Sequence, residues 1–183
     1  MNNITQARRL TICSVCIALC YVLPLAFHAV GLGSVLSPMH IPVLLCGLVC
    51  GGGYGLICGI AGPLLSSVLS GMPGPTGLIF MVPELAVYGL SAGLAMHWLR
   101  TGKVYLDTYA ALIIAMILGR IAGGIASALF YMGNGGSFGI AMWASSYVIG
   151  SFPGIVCHLI LIPLLVLTLT KAKIIPARYA KAV

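Results

Sequence analysis

Apolar residues gather into runs along this chain, and Gly, Pro and a few charges interrupt them. The runs cover residues 10–27, 39–52, 54–70, 77–98, 109–131 and 140–168. A helix needs about 20 apolar residues, at about 1.5 Å of rise each, to cross the hydrocarbon core of a bilayer. The second run is short, so it is expected to borrow from Gly51-Gly52-Gly53, to tilt, or to be irregular. Six helices is the most economical count. The expectation is a single all-α integral membrane domain over residues 1–183. Fusing the second and third runs into one kinked span would give five.

The positions of the basic residues separate these two counts. With six spans and the N-terminus inside, segments 1–9, 51–53, 99–108 and the tail after 168 face the cytoplasm. They carry Arg8, Arg9, Arg100, Lys103, Lys171, Lys173, Arg178 and Lys181, whereas segments 28–38, 70–76 and 132–139 carry no Lys or Arg. That is the bias of the positive-inside rule. Five spans would put the N-terminal pair and the C-terminal cluster on opposite sides. Both termini are therefore expected in the cytoplasm. The first run is longer than most signal-peptide cores and has no obvious small-residue cleavage site, so it is expected to remain as a span.

Composition agrees: 61% of the 183 residues are hydrophobic and 6% are charged, against about 25% charged in a soluble domain. The net charge of +7 marks the ends of spans and forms no stripe that would bind nucleic acid. Cys13, Cys16, Cys20, Cys46, Cys50, Cys58 and Cys157 all fall inside apolar runs. Cys13 and Cys16 form a C-x-x-C, which invites a metal or redox reading. Small apolar residues packing between helices are the simpler account, and no metal is expected. Gly119, Gly123 and Ser127 form a small-residue ladder, with Gly124 and Ala128 beside it, suited to close helix packing in lipid. Ser14 and Ala18, four apart on the first helix, suit either packing or a face for another subunit.

Two charges lie deep inside apolar runs, Glu84 in the fourth and Arg120 in the fifth. A charge at mid-bilayer costs roughly 2.5–3.5 kcal/mol on insertion scales, which makes each a candidate functional residue. They anchor a polar group of a ligand, or they pair with each other or bond to helix ends and so hold the bundle; the two readings can coexist. Tyr88 shares the face of Glu84, four residues on. His40, Tyr131, Asn134, Trp143 and Tyr147 are further candidates in the outer half. Trp143 and Tyr147 are four apart and could stack on a ring, although Trp and Tyr also collect at membrane interfaces. His97 and His158 are expected to be structural.

Several blocks occur in a telling order. They are Pro38-Met39-His40-Ile41-Pro42-Val43-Leu44-Leu45-Cys46-Gly47, Tyr54-Gly55, Pro63-Leu64-Leu65-Ser66-Ser67, Gly71-Met72-Pro73 and Glu84-Leu85-Ala86-Val87-Tyr88-Gly89. With the six-span layout, they resemble the substrate-binding S components of energy-coupling factor (ECF) vitamin transporters. Those proteins often carry a basic residue where this chain has Gly51-Gly52-Gly53. The resemblance implies a subunit of the bacterial plasma membrane that captures a vitamin or related micronutrient from outside. It implies a transmembrane T component and two ATPase subunits as partners, which use the ATP, and no cofactor in this chain. It also implies that Ser14 and Ala18 match a small-residue face that docks the T component. Substrate is then expected near the outer surface, among the fourth to sixth helices.

The residues support that division of labour independently. No G-x-x-x-x-G-K-[ST] phosphate loop occurs, and a relay of several carboxylates is missing. An integral membrane enzyme would need a nucleophile–base or metal set, and no H-E-x-x-H or comparable spacing is present. A self-sufficient secondary carrier or channel would be favoured by inverted repeats, which the chain does not display. The expectation is a binding subunit and not an enzyme.

Overall fold

The computed structural model describes residues 5–29, 31, 33–136 and 138–175. Arg178 and Lys181, part of the expected cytoplasmic cluster, lie outside the described residues. The described chain is helical and contains no strand. Its elements are α1 (Gln6–Ala29), α2 (Gly33–Leu36), α3 (His40–Cys50), α4 (Gly52–Ser70), α5 (Pro75–Trp98), α6 (Val104–Gly133), α7 (Ile140–Ala144), a π-helical turn (Ser145–Ile149) and α8 (Phe152–Lys171).

Five of these, α1, α4, α5, α6 and α8, are long and apolar enough to cross a membrane. The second apolar run becomes the 11-residue α3, about 16 Å long. That is well short of a hydrocarbon core of about 30 Å. It is a short core helix, buried at all its positions but Val49. Gly51, at φ 99°, takes a backbone conformation that side chains resist and turns the chain sharply into α4. The sixth run does not form one helix. Gly150 and Ser151 interrupt it, and Pro153, whose ring suits the first turn of a helix, starts α8.

Side-chain contacts fix the direction of each helix. The Cys20 thiol donates to the Met39 carbonyl (3.8 Å) and the Cys50 thiol to that of Arg9 (3.7 Å), so α3 runs against α1. Cys13 and Cys46 both donate to the Tyr54 carbonyl, at 3.7 and 3.6 Å, at the start of α4. Gly119 faces the Tyr88 ring and Gly123 faces Glu84, so α6 runs against α5. At the far end of α8, Arg8 donates to the Lys173 carbonyl at 3.1 Å. Thus α1, α3, α4, α5, α6 and α8 alternate in direction, and the described basic joints meet at one end of the bundle.

Two seams hold the bundle together. Along α4 and α5, backbone meets backbone: a Cβ built on Gly55 would overlap the Gly89 carbonyl, and one on Gly59 the Leu85 carbonyl. Glycine at these positions permits the close approach that drives helix association in lipid. The second seam is made of thiols. Cys13, Cys16, Cys20, Cys46, Cys50 and Cys58 are all free and buried among α1, α3 and α4. Among the described residues no cluster could hold a metal, and several of these thiols donate to backbone carbonyls. They pack where these three helices meet. At the basic end, Asp107 in the first turn of α6 accepts from the Thr101 amide (3.0 Å) and hydroxyl (2.7 Å), which ties down the joint between α5 and α6.

Candidate functional site

A cavity of about 300 Å³ lies at the opposite end of the bundle from the basic joints. Its walls come from α3, α5, α6 and the segment around the π-helical turn. His40, Glu84, Arg120, Tyr131 and Tyr147 all border it. So do residues not anticipated from the sequence, including Phe80, Met81, Met142 and Ser146. A helical signal for Phe80 was available, because it stands one turn before Glu84 on the same face. No comparable signal marks Met142 or Ser146, because they reach the cavity through the break in the sixth run.

Its polar floor is assembled residue by residue. His40 opens α3, and its Nδ1 lies 3.1 Å from the Ser37 carbonyl. Its Nε2 lies 3.6 Å from Glu84 Oε1. Tyr88 meets the His40 ring edge-on at 5.2 Å between centroids, and His158 stacks on it at 5.6 Å. Tyr88 and His158 are fully buried and fix the orientation of His40 from below. Glu84 is 7% exposed, so its carboxylate needs a partner, and His40 supplies one.

Arg120 does not pair with Glu84, so the internal ion pair considered from the sequence is not formed. Its side chain is 8% exposed, and Nε and Nη1 are buried with no hydrogen-bond partner. The Arg120 backbone is held nonetheless: Trp143 Nε1 donates to its carbonyl at 3.1 Å. Buried guanidinium nitrogens are normally satisfied, so this one stands out.

The small-residue ladder of α6 shapes the rest. A Cβ on Gly123 would come 3.0 Å from the Tyr147 ring and 3.2 Å from the Glu84 carboxylate, so glycine makes room for both. One turn on, Ser127 and Tyr147 share a hydroxyl–hydroxyl hydrogen bond of 2.8 Å. Gly124 accommodates the Trp143 indole. Near the rim, Phe80, Tyr131 and Phe138 form a column of nearly parallel rings, with centroids 6.2 and 5.6 Å apart.

Three of the anticipated residues do not border the cavity. Tyr88 lies beneath it and Trp143 braces its wall. Asn134 is exposed and donates to the Phe130 carbonyl at 2.8 Å, closing the end of α6. Ser14 and Ala18 are exposed on the outer face of α1, where the Ser14 hydroxyl bonds back to the Leu10 carbonyl at 3.0 Å. A second cavity, of about 340 Å³, adjoins the first and shares Ser37 and Met81 with it.

Neither a curated protein nor a solved structure shows a significant match to this chain. The model of one family, described as "ECF transporter, substrate-specific component", matches residues 8–166. That match takes in every helix bordering the cavity, and the chain belongs to the family of substrate-specific components of ECF transporters.

Proposed function

We propose that this chain captures a vitamin or related micronutrient from outside a bacterial cell and hands it to an ATP-driven import complex. The substrate would occupy the cavity bordered by His40, Glu84 and Arg120. Uptake would require a T component and two ATPase subunits, with the outward face of α1 at Ser14 and Ala18 docking the T component. In this reading the chain crosses the membrane six times, α3 forming the short second pass, and both termini lie in the cytoplasm.

One observation carries the reading. The cavity with its buried charges sits at the end of the bundle whose joints carry no Lys or Arg among the described residues. Arg8, Arg9, Arg100, Lys103, Lys171 and Lys173 gather at the other end. Under the positive-inside rule the cavity then faces outward, as capture from outside requires.

The test is uptake into liposomes. The lone chain should bind micronutrient tightly in detergent yet move none across a membrane. Uptake should appear only when the energising subunits and ATP are added. Accumulation by the lone chain, driven by an ion gradient, would exclude the proposed division of labour.

A further inference from the structure

The charges around the cavity define the substrate further, on the reading that this cavity is the substrate site. A carbonyl can only accept, so His40 Nδ1, 3.1 Å from the Ser37 carbonyl, carries a proton. The other ring nitrogen faces a Glu84 carboxyl oxygen at 3.6 Å. Glu84 is thus turned toward His40, and no carboxylate of the described residues lies within ion-pair distance of Arg120. Arg120 is always protonated and has no ion-pair partner among the described residues. The cavity therefore holds a guanidinium on a residue more than nine-tenths buried, with two unpartnered nitrogens.

We propose that the substrate is a small organic monoanion whose carboxylate neutralises Arg120, with its uncharged remainder against Phe80, Met81 and Met142. The charge count favours a carboxylate over a phosphate ester. A phosphate ester at neutral pH brings close to two negative charges to a single guanidinium, and a surplus charge at this depth is costly. The volume of about 300 Å³ lies at the small end for ligand sites and disfavours macrocyclic micronutrients. The hydroxyls of Ser146, Ser127 and Tyr147 supply donors and acceptors for polar groups on the remainder.

The experiment has two parts and uses the full chain in detergent. Native mass spectrometry identifies the ligand that co-purifies. Thermal-shift titration then compares three matched probe pairs: nicotinate with nicotinamide, pantothenate with pantothenol, and pyridoxal phosphate with pyridoxal. The retained ligand is expected to bear one carboxylate; nicotinate or pantothenate should stabilise the protein more than its uncharged counterpart, and pyridoxal phosphate should not. Arg120→Met should weaken binding of the retained ligand roughly 30-fold, the range of a charge-assisted hydrogen bond, and Arg120→Lys should recover part of that loss. A retained ligand that is neutral, cationic or a phosphate ester overturns the monoanion proposal while leaving the binding-subunit reading intact. So does a retained carboxylate whose affinity is unchanged in Arg120→Met. A chain that retains nothing and is stabilised by none of the six probes overturns both.

Discussion

His40 Nε2 and Glu84 Oε1 face each other at 3.6 Å across α3 and α5, the two helices that form the floor of the cavity. Their pairing makes a buried carboxylate tolerable in a membrane-embedded bundle. It also makes each residue dependent on the other. His40→Ala should leave Glu84 as an isolated buried acid and destabilise the protein by about 3 kcal/mol, as breaking buried pairs does. The double variant His40→Ala/Glu84→Gln should recover most of that loss. Thermal unfolding in detergent of the two single variants and the double variant checks the coupling. Additive losses would show that the two side chains act independently.

Ligand affinity should respond to Glu84 in its own right. Glu84→Gln keeps the size of the side chain and removes its charge. We expect at least about tenfold weaker binding by calorimetry, in the range of a lost charge-assisted hydrogen bond, with an unchanged elution profile on size exclusion. Unchanged affinity in a folded Glu84→Gln protein would remove the residue from the site.

The glycine seam makes a sharp contrast between neighbouring positions. Gly55→Ala would press a methyl group into the Gly89 carbonyl, while a Cβ on Gly53, two residues away, meets nothing within 4 Å. Gly55→Ala should therefore sharply reduce the yield of folded protein. Gly53→Ala should be neutral, or stabilise by up to about 1 kcal/mol through helix propensity. Fluorescence-detected size exclusion of the two variants side by side decides the matter.

Docking should be separable from capture. Ser14→Leu/Ala18→Leu adds bulk to an exposed face of α1 that this chain leaves unpacked. Thermal stability should change by less than about 0.5 kcal/mol, as for surface substitutions, and ligand affinity should stay as in wild type. Co-purification with the energising subunits, and ATP-dependent uptake, should be lost. Normal uptake by this variant would place the docking face elsewhere.

The wall around Arg120 gives a smaller effect. Trp143→Phe removes the 3.1 Å bond to the Arg120 carbonyl and should cost about 1 kcal/mol of stability. Unchanged thermal unfolding would show that this hydrogen bond adds nothing net to stability.

Much of this architecture was legible in the sequence because lipid leaves few options. Runs of apolar residues in a bilayer must satisfy their backbone groups internally, and each long helix follows from its run. Glu84 and Arg120 were visible for the same reason, since a charge among apolar neighbours is conspicuous. The pairing was not. Arg120 was the natural partner for Glu84 on charge alone, but His40 reaches it instead, by a contact between α3 and α5 that linear spacing cannot encode. The sixth run was misread as continuous because hydropathy does not register a break made of Gly150 and Ser151. Several residues bordering the cavity escaped notice with it. The α4–α5 seam was also missed, because Gly55, Gly59, Gly89 and Gly93 look like ordinary glycines until the two helices are laid against each other.

That break in the sixth run divides the labour of change within the protein. The facing glycines of the α4–α5 seam tolerate almost no added atoms, so those positions are locked by geometry. Residues 140–151 form the opposite wall and sit outside both seams. Met142 and Ser146 border the cavity from that segment. The lining can thus change at these two positions while Trp143 and Tyr147 keep their bonds to α6 and the costly buried charges stay where they are.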